Sequence, residues 1–235
     1  MECTLLLSDL HLGWRRWPRW LRWLSVTARS RAKDVLAVIL FFRSSITRLI
    51  VNGDLFHDLE SVDERSLNAD EMQLLATLRE LVGEGKLVVT RGNHDPNPEL
   101  VKSALGLPEV HERFRWNCGP HVHEATHFDQ FDPPCWWRWA VADAVIWLYG
   151  VCGKTNQLKK SRRWLLQATR VHRRAVHYAL TEGIHVIHGG HVHHELLMKR
   201  RGVLVSNSGC ALREQPFTFG VIHGTGSVCP QEYRS

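Results

Sequence analysis

Four short patches carry the residue types of a dispersed metal site: Asp9-Leu10-His11, Gly53-Asp54, Gly92-Asn93-His94-Asp95 and Gly190-His191-Val192-His193. Carboxylates suit hard or borderline divalent cations, imidazoles suit zinc, iron or manganese, and one carboxylate can bridge two ions. Two such ions a few Å apart can clamp a phosphoryl group, turn a bridging water into hydroxide at neutral pH, and neutralise charge in an in-line displacement. Each patch alone is weak, because a DxH or GHxH triplet arises often by chance. Their order and setting carry the argument.

The elements that must position these residues are legible as apolar runs. Residues 4–7, 49–51 and 87–90 are β-branched or aliphatic and lead directly into the first three patches, and residues 184–187 lead into the fourth. Such runs read as buried parallel strands, and in open α/β sheets ligands gather beyond the carboxyl ends of the strands. Four distant patches therefore meet in one cleft. Residues 31–46 read as a helix between the first two strands, which implies a parallel crossover. Helical spacing recurs over 63–82, ended by Gly83 and Gly85, and over 98–105, with Pro98 at its start and Gly106 after it. Further strands are expected at 110–114, 121–126, 195–199, 203–206 and 217–222, with Arg201-Gly202 as a hairpin turn.

A chain of 235 residues suits one main α/β domain, 1–235, with insertions. Its 44% hydrophobic and 23% charged residues are ordinary for a globular protein, which sets aside collagen-like repetition and wholesale disorder. Cys3, Cys118, Cys135, Cys152, Cys210 and Cys229 form no CxxC pair, so reduced structural thiols are expected, not a zinc ribbon. The N-terminal apolar run ends at once in Ser8-Asp9, unlike a secretory signal. The longest apolar stretches, 35–42 and 144–151, are too short to span a bilayer. The expectation is a cytoplasmic protein with peripheral membrane contact.

Two insertions stand out. Residues 14–24 place Trp14, Trp17, Trp20 and Trp23 three apart with Arg between them. This stretch reads either as an interfacial amphipathic helix, with Trp at headgroup level and Arg on anionic lipid, or as a surface helix that only packs. Residues 133–182 read as a helical cap insertion, opened by Pro133-Pro134 and rich in Trp. From 154 to 180 it carries Lys154, Lys159, Lys160, Arg162, Arg163, Arg170, Arg173 and Arg174 without one Asp or Glu. That segment favours an anionic partner.

DxH, GD, GNHD and GHxH in this order resemble the calcineurin-like metallophosphoesterase superfamily, over nearly the whole chain. The resemblance implies an αββα fold: a β-sandwich flanked by helices, here with a helical cap. It also implies a binuclear centre. Asp9, His11 and His193 would hold one metal, Asn93, His191 and a further His the other, and Asp54 would bridge. The further His is matched best by His127, in a His127-Phe128-Asp129-Gln130-Phe131-Asp132 stretch that looks like HGDxFD with Phe for Gly. His121 and His123 are the substitutes. His94 would lie beside the phosphate without binding metal, stabilising the transition state or protonating the leaving oxygen, roles that suit an imidazole. Many members have Asp where His57 stands; either His57 or Asp58 would take its place. His188 and His194 flank the last patch and are read as supporting or solvent-exposed residues.

Finer resemblance points to the UDP-2,3-diacylglucosamine diphosphatase branch, through SDLHLG at the start, the HGDxFD-like stretch, the basic insertion and Ser206-Asn207-Ser208-Gly209. That branch implies pyrophosphate hydrolysis of a nucleotide-sugar lipid in lipid A synthesis, typically with manganese, iron or zinc being the other fits to these ligands. The substrate contacts it implies are Asn93, His94, Asn156, Lys160, Arg163 and His191. A competing class is a nuclease or nucleotide phosphodiesterase, since DNA-end nucleases of the superfamily carry GDLFH, as at residues 53–57. A metal-free interaction protein with the same fold ranks below both, because every ligand type is present.

Overall fold

The computed structural model describes residues 3–13, 31–57, 64–132, 162–211 and 217–233. The Trp/Arg insertion at 14–24, Asp58 and residues 133–161, Asn156 and Lys160 among them, lie outside these, as does the Arg163 side chain.

Among the described residues ten strands form two mixed sheets. The first has the order β10-β9-β1-β2-β3, from β1 (Cys3–Leu7), β2 (Ile46–Asn52), β3 (Leu87–Thr90), β9 (Phe217–His223) and β10 (Val228–Tyr233). Strands β1, β2 and β3 run parallel, while β9 and β10 are antiparallel additions at one edge. The second sheet has the order β4-β5-β6-β8-β7, from β4 (Phe114–Cys118), β5 (His121–Ala125), β6 (Val186–Gly189), β7 (Leu196–Arg200) and β8 (Val203–Asn207). Its centre, β5-β6-β8, is parallel and both edges are antiparallel.

Alternation along the strands divides the core into layers. Leu5, Leu7, Leu49 and Val51 point to one side and meet helix α1 (Ala32–Phe42) and helix α2 (Ala69–Gly83) through Val35, Ile39, Leu74 and Leu78. Leu6 and Ile50 point to the other side, where they meet Trp116, Ala125 and Val186 of the second sheet. Helix α4 (Arg162–Thr181) covers the far face of that sheet, placing Ala168, Val171, Ala175 and Ala179 on Ile187, Val203 and Val205. The result is the sandwich of sheets between helices that the resemblance implied. The segment expected as a cap is thus described only from 162 on, where it forms this outer helix.

Several boundaries differ from the sequence expectation. The first helix ends at Phe42, not 46, because Ile46 is recruited to pair with Cys3. The run over 63–82 is broken: a 3-10 turn at Glu64–Ser66 precedes α2, which starts after Asn68 in a capping box with Glu71. Residues 110–113 are not strand apart from one bridge, His111 to Thr90, and β4 begins only at Phe114. Helix α3 (Pro98–Leu105) has the expected bounds, with Asn97 as its N-cap and Gly106 in the left-handed region at its end. Strand β10 was not foreseen; Pro230, Gln231 and Glu232 give it the polar look of an edge.

Candidate metal centre

The carboxyl ends of β1, β2 and β3 deliver Asp9, Asp54 and Asn93, and the ends of β5 and β6 deliver His127 and the pair His191 and His193. Ligand atoms of Asp9, His11, Asp54 and His193 all lie within 4.8 Å of one another. His193 Nε2 is 3.1 Å from Asp9 Oδ1, and His11 Nε2 is 3.7 Å from Asp54 Oδ2. His127 Nε2 lies 3.1 Å from the same Oδ2. His191 stands edge-on to His127, 5.4 Å between ring centres, with its Nδ1 3.0 Å from Asn93 Oδ1. The structure thus sets His127 beside Asp54. His121 is exposed, and His123 lies between the sheets, so neither substitute reaches this place.

The backbone pays for this convergence in strain. Among the described residues, Asp9, His11, Asp54, His191 and His193 all take positive φ, between 47° and 64°. Non-glycine residues seldom adopt that region, and each instance costs on the order of 1 kcal/mol or more. Close approach adds a second constraint: a Cβ on Gly92 would overlap the Asp54 carboxylate, so the first residue of GNHD must be glycine.

The donor set fits divalent cations. Asp54 Oδ2 and His127 Nε2 are fully buried and lie 3.1 Å apart, a carboxylate and an imidazole close enough to share a cation. Burial alone would raise the Asp54 carboxyl, but the neighbouring His127 charge outweighs it and holds the group well below the usual carboxylate range. Asp9 is lowered too, His193 and His127 opposing its burial. Burial drives His11 well below its ordinary value despite Asp54. Ionised carboxylates and a neutral imidazole are the forms a metal requires. His127 is the exception: burial would lower it, yet Asp54 and then Asp9 raise it well above its ordinary value.

Supporting residues that the sequence did not mark as functional surround these groups. Asp95 accepts from the N–H of Asp54 (2.9 Å) and of Gly92 (2.8 Å) through one oxygen and from that of Phe56 (2.9 Å) through the other. It staples the GD loop to the GNHD loop. Burial and then the Asp54 charge push its carboxyl up to about 7, against the N–H donors of Phe56 and Gly92. Asn207 donates to Gly190 O at 2.7 Å, and Ser8 is bonded to Ser208 at 2.8 Å, so the SNSG stretch ties the first loop to the last. Asp132 Oδ2 lies 3.3 Å from His191 Nε2 and accepts from Gln167 of α4 at 2.6 Å. The only signal for Asp95 and Asp132 was their membership of GNHD and of the HFDQFD stretch.

His94 donates its backbone N–H to Asp54 Oδ1 at 2.9 Å, and its half-buried ring stacks on His57 at 5.0 Å and 13°. His57 Nδ1 is also 3.1 Å from His11 Nδ1, so His57 touches both His94 and His11. Burial, then His94, pushes it down to about 3, which keeps it neutral. His194 is exposed, while His188 is buried between the sheets, 3.0 Å from His123. Phe128, the departure from HGD, has φ 80° and is fully buried against Phe131 and His172. It takes the backbone form that glycine favours, and Gly189 makes room, since a Cβ there would overlap the Phe128 ring.

The described residues contain no helix long and apolar enough to cross a membrane. A search of curated protein sequences gives no match. Among solved structures, the chain is similar to Yfce, a phosphoesterase from E. coli, at 14% identity and TM-score 0.53, covering 97% of this chain and 98% of that one. It is similar to an archaeal phosphodiesterase at 14% identity and TM-score 0.53, covering 98% and 99%. At that identity the likeness is one of fold. Residues 4–203 match the calcineurin-like phosphoesterase family, and with the four patches, their spacing and their convergence already in place, the chain belongs to that family of hydrolases acting on phosphoester bonds.

Proposed function

We propose that the chain is a binuclear metal-dependent hydrolase whose substrate is UDP-2,3-diacylglucosamine or a similar nucleotide-linked or lipid phosphodiester. The binuclear part draws its support from Asp54 Oδ2, which has His11 at 3.7 Å and His127 at 3.1 Å, with Asp9 and His193 grouped beside the first and His191 paired with Asn93 near the second. In this reading the first group would hold one divalent cation and the second group another, with Asp54 available to both. Bound cations supply Lewis acidity and lower the pKa of water. Manganese is the metal proposed, with iron and zinc as alternatives for the same ligands.

The protein's own residues supply the rest. Asn93, His94 and His191 line the side on which phosphate arrives. His94, held by its backbone to Asp54 and by stacking to His57, gives its proton to the leaving oxygen. Asp95 fixes the two loops so that Asp54 and His94 keep their relation through the reaction. The lipid-linked substrate draws support from sequence: the basic, Trp-rich stretch before and within α4, with Asn156, Lys160 and Arg163 as contacts, and the SDLHLG and SNSG stretches. Peripheral membrane contact through Trp14, Trp17, Trp20 and Trp23 at the cytoplasmic face belongs to the same proposal.

One observation favours a second reading. His57 of GDLFH stands in the site, stacked on His94, where it would also suit a nuclease or nucleotide phosphodiesterase. Hydrolysis of UDP-2,3-diacylglucosamine, bis-p-nitrophenyl phosphate and single-stranded DNA, each with added Mn, separates the two. The lipid nucleotide should turn over fastest. Cleavage of the generic ester alone would reject the substrate, and preferential cleavage of DNA would favour the nuclease.

A further inference from the structure

We propose that Asn52 is a positioning residue: it locks the two sheets together at the metal end of the sandwich and fixes which nitrogen His127 offers to a cation. The proposal rests on the metal-dependent reading above.

Asn52 is the last residue of β2 and is fully buried. Its side chain is bonded to partners in both sheets. Nδ2 donates to Thr126 O and to His188 O, both at 3.2 Å, and Oδ1 accepts from Thr90 Oγ1 at 2.7 Å. The two carbonyls can only accept, so the amide is held one way round. Thr90 closes β3 in the first sheet, whereas Thr126 follows β5 and His188 lies in β6 of the second. The next residue after Thr126 is His127, and His188 is followed by Gly189-Gly190-His191.

The main chain of Asn52 makes a separate contribution. Its carbonyl accepts from His127 Nδ1 at 3.1 Å. A carbonyl accepts only from an N–H, so Nδ1 carries the proton and Nε2 is turned to Asp54. One residue therefore sets both the spacing between donors from different sheets and the presentation of the imidazole. Catalytic and binding constellations tolerate only about 0.5 Å of error, so a link between the sheets at this level is required. An apolar residue would fill the space without supplying it. An amide buried merely for packing would need partners but not these, since each of its acceptors sits one or three residues before a site histidine.

The test is calorimetric titration of Mn into the metal-free protein, with the melting temperature recorded for each variant. Asn52→Ala should weaken Mn binding about 10–100-fold, the scale for residues that orient metal ligands. Thr90→Val, which removes only the anchor of Oδ1, should weaken it about 3–10-fold with a small change in melting temperature, and it carries the test if Asn52→Ala does not fold. Ile222→Ala, in the same inter-sheet layer but away from the site, should lower the melting temperature and leave Mn affinity within about twofold. Wild-type affinity in Thr90→Val and in any folded Asn52→Ala would overturn the proposal. So would an equal loss in Ile222→Ala, because the effect would then be one of general stability. Absence of binding of Mn, Zn and Fe alike by the wild-type protein would overturn the metal-dependent reading itself, and is distinguishable from both.

Discussion

Histidines gather in two buried regions of this protein, above the strand ends and between the sheets, and the same ring meets opposite surroundings. At the strand ends His11, His57, His94, His127, His191 and His193 crowd around Asp9 and Asp54 on loops with strained φ. Between the sheets His123 and His188 share one 3.0 Å hydrogen bond, their rings near that of Trp116. In the first region burial lowers His11 and His57, but two carboxylates raise His127 well above its ordinary value against burial. In the second, burial, then His121 and His185, takes His123 down to about 4, and burial takes His188 well below its ordinary value. Two neutral rings carry two N–H groups and their mutual bond uses one; among the described residues His123 Nε2 and His188 Nδ1 have no protein partner. What separates a site from a core is therefore opposed charge on strained loops, not the number of imidazoles or their depth.

The comparison can be broken most sharply at Asp54. Asp54→Asn should lower hydrolysis by about 10³-fold or more, the upper scale for one electrostatic stabiliser, and reduce bound metal in elemental analysis. His188→Leu, in the other region, should leave both within about twofold; loss of metal in that variant would erase the distinction. His94→Ala should cost about 10²–10⁴-fold in turnover with metal content intact, and unchanged turnover would remove it from the reaction.

Two stability measurements sharpen the account further. Phe128→Ala should destabilise the protein by about 3–5 kcal/mol in denaturant unfolding, because a fully buried ring is lost while the strained backbone stays. A smaller effect is expected with pH. His123 and His172 titrate near 4 when folded, chiefly through burial, and near 6.5 when unfolded. Between those values the unfolded chain binds more protons, so their contribution is complete above about pH 6.5 and is lost as pH falls toward 4. Asp95, raised to about 7, contributes with the opposite sign over the same window, so the histidine share is read by comparing variants and not from the wild-type slope alone. His123→Phe should flatten the slope, and an unaltered slope would count against the assignment.

Much of the site could be read from the chain because its acids and histidines sit just past strands buried on both faces. Such strands leave uninterrupted apolar runs as landmarks, as at residues 4–7 and 49–51. The parallel centre of each sheet was legible for the same reason. The antiparallel edges were less so, since β4 and β10 alternate with polar residues and carry no long apolar run. Asn52 escaped notice because one amide at a strand end has no periodicity; its meaning lies in carbonyls from the other sheet. Asp95 likewise acts on backbone N–H groups forty residues away in Asp54 and Phe56, roughly, which spacing cannot reveal. The break at Asn68 was available in principle, as Asn followed three residues later by Glu is a capping box. Phe128 marks the limit of motif matching: the backbone form of the usual glycine is kept, and Gly189 accommodates the ring.

The most direct test of the two-metal account joins metal content to turnover in one sample. Protein stripped with a chelator and titrated with Mn should regain hydrolysis of bis-p-nitrophenyl phosphate in proportion to bound metal, reaching its plateau at two ions per chain. Full hydrolysis by the stripped protein, or a plateau reached with no second ion bound, would contradict it.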